Sequence, residues 1–482
     1  MTSIPTLPAL RSAVSYSPGP LNRAAAPSMA DAAPSSIVTL STDGLASAQR
    51  MPAWLRFRDA GSALLEAFGS GPVAAIEPPP LPDDVDHRFS LNVVTSGGAT
   101  VTLGLASRGN ELLVRIGADA ELSEDERAAL AGLAEGFQDA IDGMAMDTPQ
   151  LRLGKLSRLD GGLLQSIELH AAVTLPTVPP EIQTLDFHID GEQRSVHVDS
   201  PAGTLDLSVK TGMPEALGTR QQQDKAIASY LKQFDQAARR GHGDAHLTAM
   251  FRDAFSDLSR TASRDAPADA SRALAREEHA VLTGLADFSA SVTQAPQRIN
   301  PARLSEVDGF HYEVAQETRI GGASWADRSL AQSQRSRLSA QFHEPLREGG
   351  QLAFNFSSES QNYRYREIDD TARSDATLER RDGKLRLARL EQSAEQSERV
   401  REYVLGRMMS DTMAPAQQQL LRDLVAILDP YRAGRDGEAR EESREEREAR
   451  REQALQSLSE DLLLLGDSAE LANRRRPALV TS

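Results

Sequence analysis

The sequence predicts an α+β chain with two antiparallel sheet regions, a helical segment between them, a disordered N-terminal arm and a charged C-terminal helix. Three observations carry this expectation. Apolar residues alternate with polar ones across 89–116, 167–209 and 310–387, the period of half-buried strands. Between these stretches, 227–288 repeats its apolar residues every three or four positions, as a helix face requires. Arg435–Glu452 is almost entirely Arg and Glu, which reads as a solvated helix or a disordered segment.

A chain of 482 residues holds several folded units. The expected division is an arm over 1–50, an α+β domain with a meander over 51–215 and a three-helix segment over 216–292. A second sheet with helices follows over 305–434, then a charged helix and tail over 435–482. The arm is rich in Ser, Pro and Ala and cannot bury enough apolar surface to offset its ordering entropy. Within it, Ile37-Val38-Thr39-Leu40 is an island with strand character.

Met51–Phe68 reads as one helix, with Trp54, Leu55, Leu64, Leu65 and Phe68 on its apolar stripe. Phe89, Leu91 and Val93 alternate, as do Val101, Leu103 and Leu105. All six are odd-numbered, so the loop Ser96-Gly97-Gly98 lets them share a face. Leu112, Val114 and Ile116 form a third strand. Ser123 and Glu126 have capping-box spacing, opening a helix to about Met144. A four-stranded meander follows, with Ile167, Leu169, Ala171 and Val173; Leu185, Phe187 and Ile189; Val196 and Val198; and Leu205, Leu207 and Val209 on its buried face. Gly191-Glu192 fits a type II′ turn with Gly first.

The three expected helices are marked by Ile227, Tyr230, Leu231 and Phe234; by Leu247, Met250, Phe251, Phe255 and Leu258; and by Leu274, Val281, Leu282, Leu285 and Phe288. Arg264–Pro267 reads as a linker. In the second sheet region, Tyr312, Val314 and Ile320 begin the alternation. Leu338, Ala340 and Phe342 continue it, then Leu352, Phe354 and Phe356, then Tyr363 and Tyr365, and Leu385 and Leu387 after the turn Arg381–Lys384. Helices are expected from Ser393 and from Pro415, the latter as a first helical residue.

Composition narrows the functional classes. Net charge is −17, so phosphate backbones and anionic membrane surfaces are repelled, and neither nucleic-acid nor membrane binding is expected. Cysteine is absent, which excludes disulfides, thiolate catalysis and cysteine-ligated metals. No apolar run reaches membrane-helix length. Met1–Leu21 has no basic start followed by an apolar core, so a cytoplasmic protein is expected, with export lacking a cleaved signal as the alternative. Abundant Ala and Arg against five lysines fit a GC-rich bacterial genome.

The best candidate site is the outer face of the meander. His170, His188 and His197 alternate against the apolar set, and Asp186, Asp190, Asp199 and Asp206 point the same way. If Gly191-Glu192 closes the hairpin, Asp186 faces His197 with His188 diagonal to it. His170, His188, His197 and Asp186 are therefore the candidate ligands for zinc or manganese, against the plainer reading of a solvated sheet face. His242-Gly243-Asp244-Ala245-His246 spaces two histidines four apart, but its glycines favour a loop with Asp244 capping the next helix. Tyr363-Arg364-Tyr365-Arg366 mixes aromatic and basic residues as RNA-binding strands do, but alternation sends the tyrosines and arginines to opposite faces, as a core-plus-surface strand requires. No P-loop, dinucleotide fingerprint or nucleophile elbow is present.

Ser36-Ile37-Val38-Thr39-Leu40-Ser41-Thr42-Asp43-Gly44-Leu45-Ala46 resembles a Ser/Thr-rich stretch in the N-terminal arms of flagellum-associated and uncharacterised proteobacterial proteins. Residues 89–144, with Thr95-Ser96-Gly97-Gly98 and then Leu122-Ser123-Glu124-Asp125-Glu126-Arg127, look like the same uncharacterised proteins. The resemblance implies a bacterial, appendage-associated setting and brings no catalytic residues. The functional expectation is a non-enzymatic interaction or structural protein with a protein partner and no cofactor. Its rivals are a metal-dependent hydrolase on the meander face and a secreted or appendage-associated protein.

Overall fold

A computed structural model describes residues 53–70, 81–82, 84–109, 111–158, 162–260, 274–297, 300–322, 324–428 and 444–474. The expected arm, the Arg264–Pro267 linker, the first part of the Arg/Glu run and the end of the tail lie outside these residues.

The single helix expected over Met51–Phe68 is two, α1 (Ala53–Arg56) and α2 (Ala60–Ser70). The break is at Asp59, whose φ of 59° is left-handed, and it turns Phe57 fully into the core. β1 (His87–Thr95) and β2 (Thr100–Arg108) pair Phe89 with Leu105, Leu91 with Leu103 and Val93 with Val101, the expected odd-on-odd register. Gly98 takes the positive φ of 86° that closes this turn. β3 (Glu111–Ala118) is the outer strand. The capping box forms: the Ser123 side chain accepts from the Glu126 N–H, and the Ser123 N–H donates to Glu126 at 2.9 Å. It opens α3 (Glu124–Ala131), followed by α4 (Ala134–Met144).

The meander is β4 (Leu164–Leu175), β5 (Glu181–Ile189), β6 (Gln193–Ser200) and β7 (Gly203–Lys210). The expected register of β5 on β6 holds, with Asp186 opposite His197. The turn differs: Gly191 lacks the positive φ of type II′. Asp190 Oδ1 instead accepts from the Glu192 and Gln193 N–H groups at 2.8 and 2.7 Å, an Asx-type closure. α5 (Arg220–Gly241) and α6 (Ala245–Ser259) are the first two expected helices.

The third is not a helix. Only α7 (Arg276–His279) is helical, and Phe288 lies in β8 (Asp287–Gln294), with Ala290 and Val292 beside it on the buried face. β8 pairs with β7 on one side and with β9 (Gly309–Gly321) on the other. The two expected sheet regions are therefore one sheet. It continues through β10 (Ser329–Pro345), β11 (Tyr363–Arg381), β12 (Lys384–Val404) and β13 (Arg407–Asp423). Thirteen described strands run in the order β13-β12-β11-β10-β9-β8-β7-β6-β5-β4-β1-β2-β3, all antiparallel. The helices expected from Ser393 and Pro415 are parts of β12 and β13, and Leu352, Phe354 and Phe356 lie in a connection rather than a strand. The described residues end with α8 (Val425–Leu428), α9 (Arg444–Asp461), the described part of the charged helix, and α10 (Ser468–Arg474).

The helices pack on one face of the sheet. Phe234, Phe251 and Phe255 of α5 and α6 meet Tyr312 and Phe288 with ring centroids about 4–6 Å apart, within the main core. The other face is solvated over the meander.

Candidate functional site

The row crossing the solvated face from β1 to β7 reads Ser90, His170, Asp186, His197, Asp206. Strand pairing thus sets imidazole and carboxylate side by side. His170 Nδ1 lies 2.5 Å from Asp186 Oδ1, and His197 Nδ1 lies 2.6 Å from Asp206 Oδ1. His188 Nε2 is 3.0 Å from Asp190, and its Nδ1 is 3.5 Å from Glu168. All four candidate ligands line one shallow depression of about 370 Å³. Each imidazole is nonetheless bonded to its own carboxylate, and the Asp186 oxygen turns to His170 rather than to His197. Among the described residues, no three His, Asp or Glu side chains are grouped to hold a metal ion.

In the second motif, His242 ends α5 in the left-handed region with a φ of 55° and stacks on Phe342 at 3.9 Å. Asp244 caps α6, accepting from the His246 and Leu247 N–H groups at 2.9 Å.

The Tyr/Arg strand splits between the faces as alternation requires. Arg366 turns to the helix side, against Glu344 and Glu398. Tyr363 and Tyr365 turn to the opposite side and are nevertheless buried, because two connections cover them. One is 300–308, between β8 and β9. The other is the connection carrying Leu352 and Phe354, between β10 and β11.

The covering connections are fixed by a buried polar network that sequence reasoning did not find. Glu306 is 2% exposed and accepts from the Tyr363 hydroxyl at 2.5 Å and the Tyr403 hydroxyl at 2.9 Å. Arg401 and the His343 Nε2 stand 3.7 and 3.6 Å from the same carboxylate. His343 Nδ1 lies 2.6 Å from Asp308 Oδ1. Tyr365 donates to the Val307 carbonyl and accepts from the Val307 N–H. Asn300 donates to Tyr363 and Gln361 at 3.0 and 2.8 Å.

The electrostatics follow from this packing. Burial favours a neutral Glu306, but the nearby His343 and the hydrogen bonds from Tyr363 and Tyr403 outweigh it and lower the pKa. Burial likewise opposes a charged His343, but the hydrogen bond with Asp308 and the nearby Glu306 carboxylate raise its pKa above the usual value. Burial pushes Tyr365 up to about 12, and burial with the Glu306 hydrogen bond raises Tyr363 and Tyr403. The tyrosine hydroxyls therefore stay protonated at neutral pH and act as hydrogen-bond donors.

A third loop joins the assembly. The Gly406 N–H donates to the Gln361 carbonyl at 2.9 Å, and the Leu405 N–H to Asn362 Oδ1 at 2.8 Å. Arg303 donates to the Gly406 carbonyl at 2.8 Å, with its guanidinium 4.1 Å from the Tyr403 ring centroid. Each of the three tied loops presents a large apolar side chain to solvent: Leu304 is 71% exposed, Phe356 84% and Leu405 55%. Met408 and Met409 follow at the start of β13 and are also exposed. Asn300-Pro301 signals a turn in the sequence, but nothing local links Glu306 to Tyr403, 97 residues away.

No family model, curated protein or solved structure shows significant similarity to the chain.

Proposed function

We propose that the chain is a non-enzymatic interaction protein that docks a protein partner on the platform formed by Leu304, Phe356 and Leu405. One observation carries this reading: a buried, densely bonded network holds three loops that turn large apolar side chains outward. Exposed Phe and Leu bury little apolar surface in the fold, and on a fixed loop they can dock with little loss of conformational freedom. The net charge of −17 directs the choice toward a protein partner with an apolar face and a neutral or basic rim. The tyrosines and the carboxylate beneath the platform are committed to one another, which fits a scaffold better than a reaction centre.

The test is a photo-crosslinking residue placed at Phe356, at Leu304 or at the control position Val178, which is 99% exposed between β4 and β5. The reading expects the same crosslinked protein from positions 356 and 304 and none from 178. Equal labelling from all three positions, or none from any, contradicts it.

A further inference from the structure

On the helix-bearing face, one row across β9–β12 is polar: Gln316, Gln334, Ser374 and Gln392 stand directly opposite one another. Their neighbour beyond β9 is Phe288 and beyond β12 is Leu420, so the row is a polar trough between apolar walls. The chain's own residues 461–467, from the end of α9 to the start of α10, lie along it. The Leu462 carbonyl accepts from Gln334 Nε2 at 2.9 Å and from Ser374 at 2.7 Å. The Leu464 N–H donates to Gln334 Oε1 at 3.0 Å, and the Leu464 carbonyl accepts from Gln233 at 2.5 Å. Gln392 donates to the Asp461 and Leu463 carbonyls at 3.1 and 3.3 Å.

The Gln334 side chain thus takes the carbonyl of one residue and the N–H of the residue two further on. This is the pair of bonds that a strand residue makes to a parallel neighbour, here supplied by a side-chain amide. The strands beneath have their own backbone groups paired, so the sheet reaches the segment's peptide groups through these side-chain amides, while α9 and Arg474 supply the remaining partners. These contacts read backbone, whatever the side chains. Specificity is left to Leu462 and Leu464, both with no exposed surface, and to flanking ion pairs of Glu460 with Lys225 and Glu470 with Lys232. Beyond the leucines, Gly466 and Asp467 wall a cleft of about 660 Å³ against α5 and β9–β12.

We infer that this trough is a peptide-recognition groove, filled in cis by residues 461–467 and able to take the same segment from a second copy of the chain. It lies on the opposite face from the loop platform and does not depend on it. The tethered segment competes at high effective concentration, so occupation in trans is weak until the resident segment is released.

The test uses full-length chains and a fluorescent peptide of residues 456–474. Leu462→Asp with Leu464→Asp releases the resident segment by placing charge in two dry sockets. The released chain is expected to bind the peptide roughly tenfold or more tighter than the wild type, because the tethered competitor is gone. Adding Gln334→Leu to the released chain is expected to abolish that gain. A folded released chain that binds no tighter than the wild type overturns the inference, as does binding that is indifferent to Gln334→Leu. If the double substitution unfolds the sheet, two otherwise wild-type chains replace it. The protein has no cysteine, so Ser374→Cys on one copy and Leu463→Cys on the other provide the only thiols. After the copies are mixed and thermally cycled, a short bis-maleimide is expected to join the two chains. Recovery of monomers alone overturns the inference.

Discussion

The Tyr363 hydroxyl donates to the Glu306 carboxylate at 2.5 Å, joining the start of β11 to a connection 57 residues away. The bond is buried and charge-assisted, so it is among the stronger ones available to the chain. Removing one hydrogen bond to a charged group costs about 1.5–3 kcal/mol. Tyr363→Phe should lower stability by that order, and Glu306→Ala by more, because it strands two hydroxyls at once. Denaturant unfolding measures both. The loop account further expects amides in 300–308 to lose exchange protection first in either variant. Uniform loss across the sheet would contradict it.

The same network sets a pH window. The Glu306 pKa is lowered in the fold, so its contribution is present above the usual 4.5 and is lost as pH falls through the lowered value. The His343 pKa is raised, so its contribution is present below the usual 6.5 and is lost as pH rises through the raised value. The network is therefore fully stabilising between about 4.5 and 6.5. The stability difference between wild type and His343→Gln should be largest there and shrink toward alkaline pH. A difference that grows above neutrality has the wrong sign.

A second buried charge lies where α7 meets the sheet. Glu278 has no exposed surface and meets Arg328 at 3.0 Å and Arg380 at 3.4 Å. Breaking a buried ion pair by removing one partner typically costs about 3–5 kcal/mol, because the remaining charge is uncompensated. Glu278→Ala should fall in this range by equilibrium unfolding. The triple change Glu278→Leu, Arg328→Met and Arg380→Met should recover most of the loss. A triple variant as unstable as the single one would show that the charges themselves are needed.

On the meander, adjacent residues should behave oppositely. Phe187 is 2% exposed, and its truncation to Ala should cost about 3–5 kcal/mol. His188 sits on the solvated face with Glu168 and Asp190, and an exposed pair of this kind is worth at most about 1 kcal/mol. His188→Ala should therefore barely move the melting temperature, and comparable losses from the two variants would break the register.

Strands were legible where one face is plainly apolar. β1, β2 and β4–β7 are legible, with the registers of β1 on β2 and of β5 on β6, because Leu, Val, Ile and Phe fall on alternate positions. β8 was hidden because Val281, Leu282, Leu285 and Phe288 imitate helical spacing, although they run from a short helix through a turn into a strand. The start of β12 is legible at Leu385 and Leu387, but its continuation past Ser393 is not, because its buried face carries Gln392 and Ala394, matched to the segment crossing it rather than to a greasy core. Pro415 misled for a physical reason. The Ser397 N–H, opposite it, points toward β11 and Asp370, so the nitrogen of Pro415 faces away from β12. A proline is tolerated on an edge strand in that position, and there it blunts pairing with other chains. The meander histidines were placed correctly on their face, but their individual carboxylate partners depend on side-chain rotamers. The Glu306 network joins residues from four separate stretches, and no local pattern encodes it.

The most direct measurement of the docking account compares recovery of a partner from native cells by wild type and by Leu304→Ser with Phe356→Ser. Both positions are exposed, so the double variant should melt with the wild type, since exposed substitutions usually shift stability by less than about 0.5 kcal/mol. The account predicts a partner recovered in near-stoichiometric amount with the wild type and lost with the double variant. Equal recovery with both chains would contradict it.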